Sequence, residues 1–533
     1  MLDKNIKEII SSGDISLGVE FGSTRIKAVL TALKGKVIAK SSYDWENKLI
    51  DGIFTYDLEE VWIGLRKCYK DIKEFVKHKY DIEIIKLSSI GFSAMMHGYL
   101  VFDKQGNLLV NFRTWRNTIT EQSADILSNK FNFNIPQRWS IAHLYQSILN
   151  KEHHIGNIDF LTTLAGYVHW KVTGERVIGI GDASGIFPID ETTLNYNKNM
   201  MGQFKKLAEK EGFTVPLENI LPKVLSAGEL GGRLTKEGAE LIDPTGLLQE
   251  GSPVCPPEGD AGTGMVATNS ISPKTGNVSA GTSIFSMIVL EKNLSEYYTE
   301  IDIVTTPVGH PVAMVHCNTC TSDIDAWVKI FYEFAKQIDN DINISYVYKM
   351  LYESALKGRF DCGGLVSVNY FSGEPVVNIK DGVPMFIRKA DDEFNLSNFM
   401  RAHIYSSFAT VKIGLDLLFN DEKIKIDKML GHGGLFKIEK IVQQMMASSL
   451  NTSVEVMDTA SEGGAWGMAI LAEYMSRKGQ NQSLEDYLNR EIFAETKSIL
   501  CYPNKEETEG FNKFLERYKN TLKIEKFAVD IMQ

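Results

Sequence analysis

Hydrophobic and polar positions change period several times along the chain. Leu17-Gly18-Val19-Glu20-Phe21 is a short apolar run broken by one acid. Gly22-Ser23-Thr24 interrupts it, Ile26-Lys27-Ala28-Val29-Leu30 resumes it, and Lys34-Gly35-Lys36 separates that run from Val37-Ile38-Ala39. Short apolar runs rich in β-branched residues and punctuated by small or polar turns predict successive antiparallel strands, with residues 22–24 as the first turn. From Leu58 to Lys77 the spacing is helical, with Val61, Leu65, Tyr69, Ile72 and Phe75 on one face. Ile84 to Phe92 then predicts a buried strand that delivers Ala94-Met95-Met96-His97-Gly98 at its carboxyl end, where α/β sheets place their ligand sites.

A second strand–turn–strand follows about half a chain later. Gly276 to Leu290 carries an apolar run on each side of Gly281-Thr282-Ser283, in the image of the run around Gly22-Ser23-Thr24. The pair reads either as a duplication, two similar domains each with one small-residue hairpin turn, or as two unrelated hairpins. The Pro-rich stretch from Asp243 to Pro257 is the candidate linker. Residues from Arg477 onward are charged and mostly helical in pattern. The division predicted is an N-terminal domain over 14–268, a C-terminal domain over 269–476 and a helical extension over 477–533.

Length and composition sharpen this picture. A chain of 533 residues, 44% hydrophobic and 23% charged, is long enough for two large domains with cores of their own. The net charge of −11 argues against a protein whose main partner is nucleic acid or an anionic membrane. No stretch approaches the ~20 apolar residues that span a bilayer, and the polar start Met1 to Glu8 has no apolar signal core, so a cytoplasmic protein is expected. Six cysteines (68, 255, 317, 320, 362, 501) are too sparse for a disulfide framework. Cys317 and Cys320, the only C-x-x-C pair, are expected to be ordinary thiols near a buried strand.

A P-loop, the protein-kinase motif set and a well-placed dinucleotide glycine fingerprint are all missing from the sequence. Any nucleotide phosphate must be held another way, and the two hairpin turns offer one. Small residues let backbone N–H groups approach phosphate oxygens, neighbouring hydroxyls add donors, and Lys27 adds charge. Glu20, inside an apolar strand beside the first turn, suits a Mg²⁺ site, or else it is an edge-strand acid facing solvent. Asp260, between Gly259 and Ala261-Gly262-Thr263-Gly264, suits a general base toward a hydroxyl, or else it is an N-cap. His97 is either a ligand group or a satisfied core histidine. Trp115-Arg116-Asn117 offers a stacking face and polar donors for a sugar, or Trp115 is core. Met429 to Leu435 reads as a strand running into a glycine loop, and Ser461 to Ala472 puts small residues at a helix start. Both segments fit an adenosine pocket, or the second is tight helix packing on Ala and Gly.

Taken in order, these segments resemble the FGGY family of carbohydrate kinases, within the sugar kinase–Hsp70–actin superfamily, from about Ser16 to about Tyr474. Val19 to Lys27 is similar to the family's first phosphate motif, and Gly91-Phe92-Ser93-Ala94-Met95-Met96-His97-Gly98 to the xylulokinase-type sugar segment. Leu164 to Glu175 and Gly181-Asp182-Ala183-Ser184-Gly185 resemble the family's stretch before the second half of the N-terminal domain. Gly259 to Gly264 resembles the catalytic-Asp segment, Ala280-Gly281-Thr282-Ser283 the second phosphate motif, and Gly431-His432-Gly433-Gly434 the adenosine motif.

The resemblance implies an α/β protein of two RNase-H-like, actin-like ATPase domains flanking a cleft. It implies ATP and Mg²⁺, with the phosphates met by Gly22, Ser23, Thr24, Lys27, Gly281, Thr282 and Ser283, the adenosine by Gly431, Gly433 and Gly434, and the metal by Glu20 and Asp260. Asp260 would deprotonate the attacking sugar hydroxyl, and Met96, His97, Trp115 and Asn117 would contact the sugar. The partner expected is a small-molecule sugar, with no nucleic acid or membrane and with a homodimer left open. Three positions depart from the family pattern: Glu20 where Asp is usual, Asn117 where xylulokinase-like members carry an acid, and Met95 where they carry Gln. Arg116 is the residue that would compensate. The expected activity is phosphorylation of a ketose or polyol. The alternatives are a catalytically weak nucleotide- or sugar-binding sensor and an actin-like or chaperone-type ATPase, the latter opposed by the sugar segment around His97.

Overall fold

The first apolar run folds as predicted because its two sides are both covered. In the computed structural model, which describes residues 2–437, 440–458 and 463–532, β1 (Ser16–Phe21) pairs antiparallel with β2 (Arg25–Thr31), which pairs with β3 (Val37–Asp44). Residues 22–24 turn the chain, closed by the Gly22 N–H donating to the Arg25 carbonyl at 2.9 Å. β4 (Ser89–Ala94) lies parallel to β1 on its other side. β5 (Gly232–Arg233), β6 (Pro253–Val254) and β7 (Glu258–Gly259) complete a seven-stranded sheet.

Every residue of β1 is buried. Leu17, Val19 and Phe21 join a core with Ile26, Leu30, Phe92 and the buried face of α1 (Leu58–Tyr80). That face runs Val61, Leu65, Tyr69, Ile72, Val76. Phe75, expected on it, is 43% exposed: the step from Ile72 is four residues, not three. On the opposite side of β1, Gly18 and Glu20 lie under α3 (Gly463–Arg477), and a side chain at Gly18 would put its Cβ 2.2 Å from the Ala465 carbonyl oxygen.

The chain forms two units, Met1–Ser272 with Ile303–Val312 and Glu462–Glu495, and Pro273–Asp302 with Ala313–Ser461 and Thr496–Gln533. The Pro-rich stretch is not a linker. Val254 pairs with Ile90 in the first sheet, and the Asp243 carboxylate accepts from Lys73 Nζ at 2.9 Å. The stretch from 477 onward, read in sequence as one extension, is divided at Glu495. Its later part adds a strand and a long helix to the second unit.

That second unit repeats the plan of the first. β8 (Thr275–Ala280) pairs antiparallel with β9 (Ile284–Val289) and parallel with β10 (Lys428–His432). β11 (Val454–Met457) pairs with β10, and β12 (Ser498–Cys501) with β11. The helix Leu396–Asp416 is buried along most of its length, and α4 (Lys505–Met532) packs through Phe511, Phe514 and Tyr518. In each unit the central strand has an antiparallel partner across a three-residue turn and a parallel partner whose carboxyl end runs into a loop of functional interest. Cys317 and Cys320 are buried free thiols, and burial pushes Cys320 up to about 12.

Candidate active site

In the first unit, the antiparallel register sets Glu20 directly across from Lys27. Their ion pair closes at 3.4 Å, with the Glu20 side chain 11% exposed and that of Lys27 46%. Glu20 is therefore an acid on a central strand, not on a sheet edge. One strand over, β4 ends at Ala94 and leads into Met95, Met96 and His97. β7 lies parallel to the end of β4, with Glu258 opposite Ser93 and Gly259 opposite Ala94, and hands the chain to α2 (Asp260–Ala267) with Asp260 as its first residue. Glu20 and Asp260 thus stand at the carboxyl ends of two parallel strands that flank β4. Asp260 Oδ1 accepts the Met96 N–H at 3.2 Å and the Ala261 N–H at 3.0 Å. Burial and then the Glu20 carboxylate raise Asp260 to about 6, the range of a carboxylate poised to take a proton near neutrality.

His97 sits at φ +69°, in the left-handed region that a side chain adopts only when its surroundings hold it there. Its imidazole stacks on Trp139 with centroids 6.0 Å apart, and its Nδ1 lies 3.3 Å from the Gly185 carbonyl. Burial, then the Arg138 charge, lower it to about 3. The ring is neutral, and since a carbonyl only accepts, Nδ1 carries the proton and Nε2 is an acceptor. Met96 is buried beside it. Trp115 is 37% exposed. The Arg116 guanidinium lies 4.2 Å from the centre of the Phe54 ring. Asn117 turns its amide to the backbone: Oδ1 accepts the Phe54 N–H at 2.9 Å, and Nδ2 donates to the carbonyls of Phe54 at 2.8 Å and Thr114 at 3.0 Å. Met95 is buried.

Two further carboxyls stand behind Asp260. Asp182 accepts the Thr163 hydroxyl at 2.6 Å on Oδ2, and its buried Oδ1 has no hydrogen-bond partner among the described residues; burial raises it to about 7. Glu258, equally buried, accepts three backbone N–H groups. Neither was singled out in sequence as a site residue. The available signal was the alternation Gly179-Ile180-Gly181 together with an acid two residues before Asp260, and its meaning depends on a contact across more than seventy residues. Trp139 likewise gave no local signal for its place under His97.

The second unit presents the other hairpin. The Gly281 N–H donates to the Ser283 carbonyl at 2.9 Å, and the carbonyl oxygens of Thr282 and Gly281 accept the N–H groups of Cys320 and Thr321. Thr282 is exposed, and Gly281 and Ser283 are partly so. At the end of the parallel neighbour β10, Gly433 (φ +102°) lies against this hairpin so closely that a Cβ there would stand 2.5 Å from the Ala280 carbonyl oxygen. Gly431 receives the Phe436 ring, and Gly434 is open. His432 places its ring edge-on to Phe285, centroids 6.5 Å apart.

Ser461 and Glu462 lie outside the described residues. The rest of that segment is α3, whose small residues serve packing within the first unit. A Cβ at Gly464 would meet Glu20 Oε1 at 2.5 Å, and one at Gly467 the Thr263 carbonyl oxygen at 2.1 Å. Of the two readings in sequence, helix packing is the one these contacts support.

Comparison with known proteins gives this geometry a family. The model of the N-terminal domain of FGGY carbohydrate kinases matches residues 15–266, and that of the C-terminal domain matches residues 276–476. The chain is 24% identical to the xylulose kinase of Haemophilus influenzae, over 81% of this chain and 83% of that one. A ligand-bound xylulose kinase from Lactobacillus acidophilus shares the fold with a TM-score of 0.76 at 16% identity, covering 95% of this chain and 97% of that one. A Plasmodium falciparum glycerol kinase with ADP does so at 0.74 and 17%, covering 94% and 98%. With both domain models matched in order and the actin-like ATPase fold shared, the chain belongs to the FGGY family of carbohydrate kinases and is a sugar kinase.

Proposed function

We propose that the protein transfers the γ-phosphoryl group of ATP to a hydroxyl of a small ketose or polyol of xylulose type, with Asp260 as general base. The observation that carries this reading is the placement of Asp260: half-buried, raised to about 6, held at Oδ1 by two amides, and at the carboxyl edge of the sheet beside the strand that leads into Met96 and His97. Oδ1 is engaged, so we assign the hydroxyl proton to Oδ2. His97, neutral and with Nε2 as acceptor, orients a neighbouring hydroxyl, and Met96 and the Trp115 ring supply apolar surface to the sugar carbons. Asn117 acts here by fixing the Phe54 backbone, through which it sets the floor under Arg116.

Gly22, Ser23, Thr24 and Lys27 in the first unit, and Gly281, Thr282 and Ser283 in the second, are assigned to the phosphates, and Gly431, Gly433 and Gly434 to the adenosine. Among the described residues no three His, Cys, Asp or Glu side chains converge as a metal cage. Mg²⁺ is commonly held by one or two carboxylates together with phosphate oxygens, and Glu20 and Asp260 are such a pair. Bound there, the ion would neutralise charge on the phosphates. The names of the relatives, xylulose kinase and glycerol kinase, support a polyhydroxylated acceptor without fixing which one.

The test is ADP release over a panel of pentuloses, hexuloses, polyols and aldonates, run on the native chain and on Asp260→Asn. The native protein turns over at least one ketose or polyol. The variant loses on the order of 10³-fold or more in sugar-dependent turnover while binding ATP as before. Turnover in the variant at the native rate would overturn the base, and silence of the native chain on the whole panel would favour a sensor.

A further inference from the structure

The segment Gly181-Asp182-Ala183-Ser184-Gly185 touches both halves of the sugar site, and Glu258 is what holds it. Glu258 is 1% exposed, and among the described residues no cation pairs with it. Its Oε1 accepts the Gly181 N–H at 3.2 Å, and its Oε2 accepts the N–H groups of Asp182 at 3.1 Å and Gly259 at 3.3 Å. Gly179 and Gly181 form the cradle for this carboxylate. A Cβ at Gly179 would lie 2.3 Å from Oε1 and one at Gly181 2.4 Å from Oε2. Neither glycine has a positive φ, so the backbone conformation does not demand glycine at either position; room for the carboxylate does.

Beyond the cradle, the Ser184 hydroxyl closes the turn on the Gly181 carbonyl at 2.6 Å. Gly185 then presents its carbonyl to His97 Nδ1 at 3.3 Å, so close that a Cβ at Gly185 would stand 2.7 Å from that nitrogen. At the near end, Gly259 precedes Asp260, whose Oδ1 is fixed by the Met96 N–H.

We propose that Glu258 is a positioning residue: its carboxylate ties the turn against which His97 rests to the strand end that carries Asp260, and so sets the sugar-contacting imidazole relative to the base. The inference rests on the reading of Asp260 as base. Glutamine has the volume of glutamate, but its NH₂ would face amide N–H donors, so the brace loses at least one bond without opening a cavity. An error of an ångström at a reacting group is felt mainly in turnover.

The experiment measures residue-resolved amide exchange of the full ligand-free chain for Glu258→Gln and, approaching the same oxygens from the other side, Gly181→Ala. Both variants are expected to exchange about tenfold faster or more at Gly181, Asp182, Gly259 and, the decisive position, Met96, with helices of the second unit unchanged. With D-xylulose and Mg·ATP as probes, kcat is expected to fall about tenfold or more while the KM for ATP holds within about twofold. Together the two substitutions are expected to cost no more than the larger one alone, because both break one brace. Unchanged Met96 exchange alongside opened Gly181 and Asp182 would overturn the proposal, leaving a local structural bond only, as would kcat at the native level. Loss of the fold in both variants would make Glu258 a folding element and overturn it too. If Asp260→Asn keeps native turnover, or the native chain ignores D-xylulose, the functional reading fails by itself, and Met96 exchange still decides the brace.

Discussion

Single residues in this site are often less free than their chemistry suggests. Asn117 is the plainest case. In sequence it stands where an acid is usual in xylulokinase-like relatives, beside an exposed tryptophan and an arginine, and reads as a sugar contact. The fold surrounds its amide with one backbone donor and two backbone acceptors, a set that an amide satisfies and a carboxylate does not. Asn117→Asp would face two carbonyls with negative oxygens. The expected outcome is a loss of about 1–3 kcal/mol in stability, seen as a lower midpoint in urea, with no gain in sugar turnover. A variant as stable as the native chain and faster on xylulose would show instead that the asparagine is a lost acid. Asp260 and His97 stand out in the sequence because small neighbours and a strand end mark them. Asp182, Glu258 and Trp139 do not, because their meaning lies in partners distant in the chain.

Local periods placed the hairpins but not every bound: the strand expected over Ile84–Phe92 begins only at Ser89 and runs to Ala94, with Ile85 exposed. The hairpins on either side of Gly22 and Gly281 needed only apolar runs and small turns. The Pro-rich stretch was misread because proline marks turns and edge strands alike, and here Val254 finds Ile90 in the sheet. The small residues of α3 announced a close approach without saying to what. They let the helix lie on β1 with backbone against backbone: a Cβ at Gly18 would stand 2.2 Å from the Ala465 carbonyl oxygen and 2.3 Å from the Ala469 nitrogen. Glu473, near the end of that helix, accepts the N–H groups of Lys34 at 2.7 Å and Gly35 at 2.9 Å, and Trp466 Nε1 donates to the Gly35 carbonyl at 2.7 Å. The helix is thus anchored at the turn between β2 and β3. No flexible side chain can give way at Gly18, so Gly18→Ala should cost about 2–3 kcal/mol or more. Because Glu20 lies two residues along the same face of β1, sugar-dependent turnover should fall along with the thermal midpoint. An alanine variant that melts with the native chain would mean that the helix rides loosely on the strand.

Over the whole molecule, the net charge of −11 conceals a sharper local fact: Asp182 and Glu258 are buried acids and Asp260 is a half-buried one in the same unit, each raised chiefly by its loss of water. A folded-state value above the unfolded one means that the native chain holds more protons, so this contribution to stability is full below about pH 4 and is lost as pH rises through the folded values, near 6 for Asp260 and 7 for Asp182. Buried histidines run the other way. His97, lowered to about 3, and His169, lowered to about 4, take up protons more readily when unfolded, so their contribution is present above about 6.5 and is lost on acidification. The two trends overlap between pH 4 and 6.5, so a melting curve of the native chain alone would mix them. The difference between the native chain and Asp182→Asn separates them. The amide oxygen still accepts from Thr163, and the variant has no charge to bury. Its stability relative to the native protein should climb from about pH 5 to pH 8 by a few kcal/mol, with a slope of at most roughly 1.4 kcal/mol per pH unit, in denaturant melts across that range. The proposed catalysis asks the opposite of the same region, since Asp260 as the base would have to be charged to take a proton. Turnover at saturating substrate should therefore rise through about pH 6 while the ligand-free fold loses stability. A flat difference between the native chain and Asp182→Asn would mean that Asp182 is already charged in the native fold at pH 5.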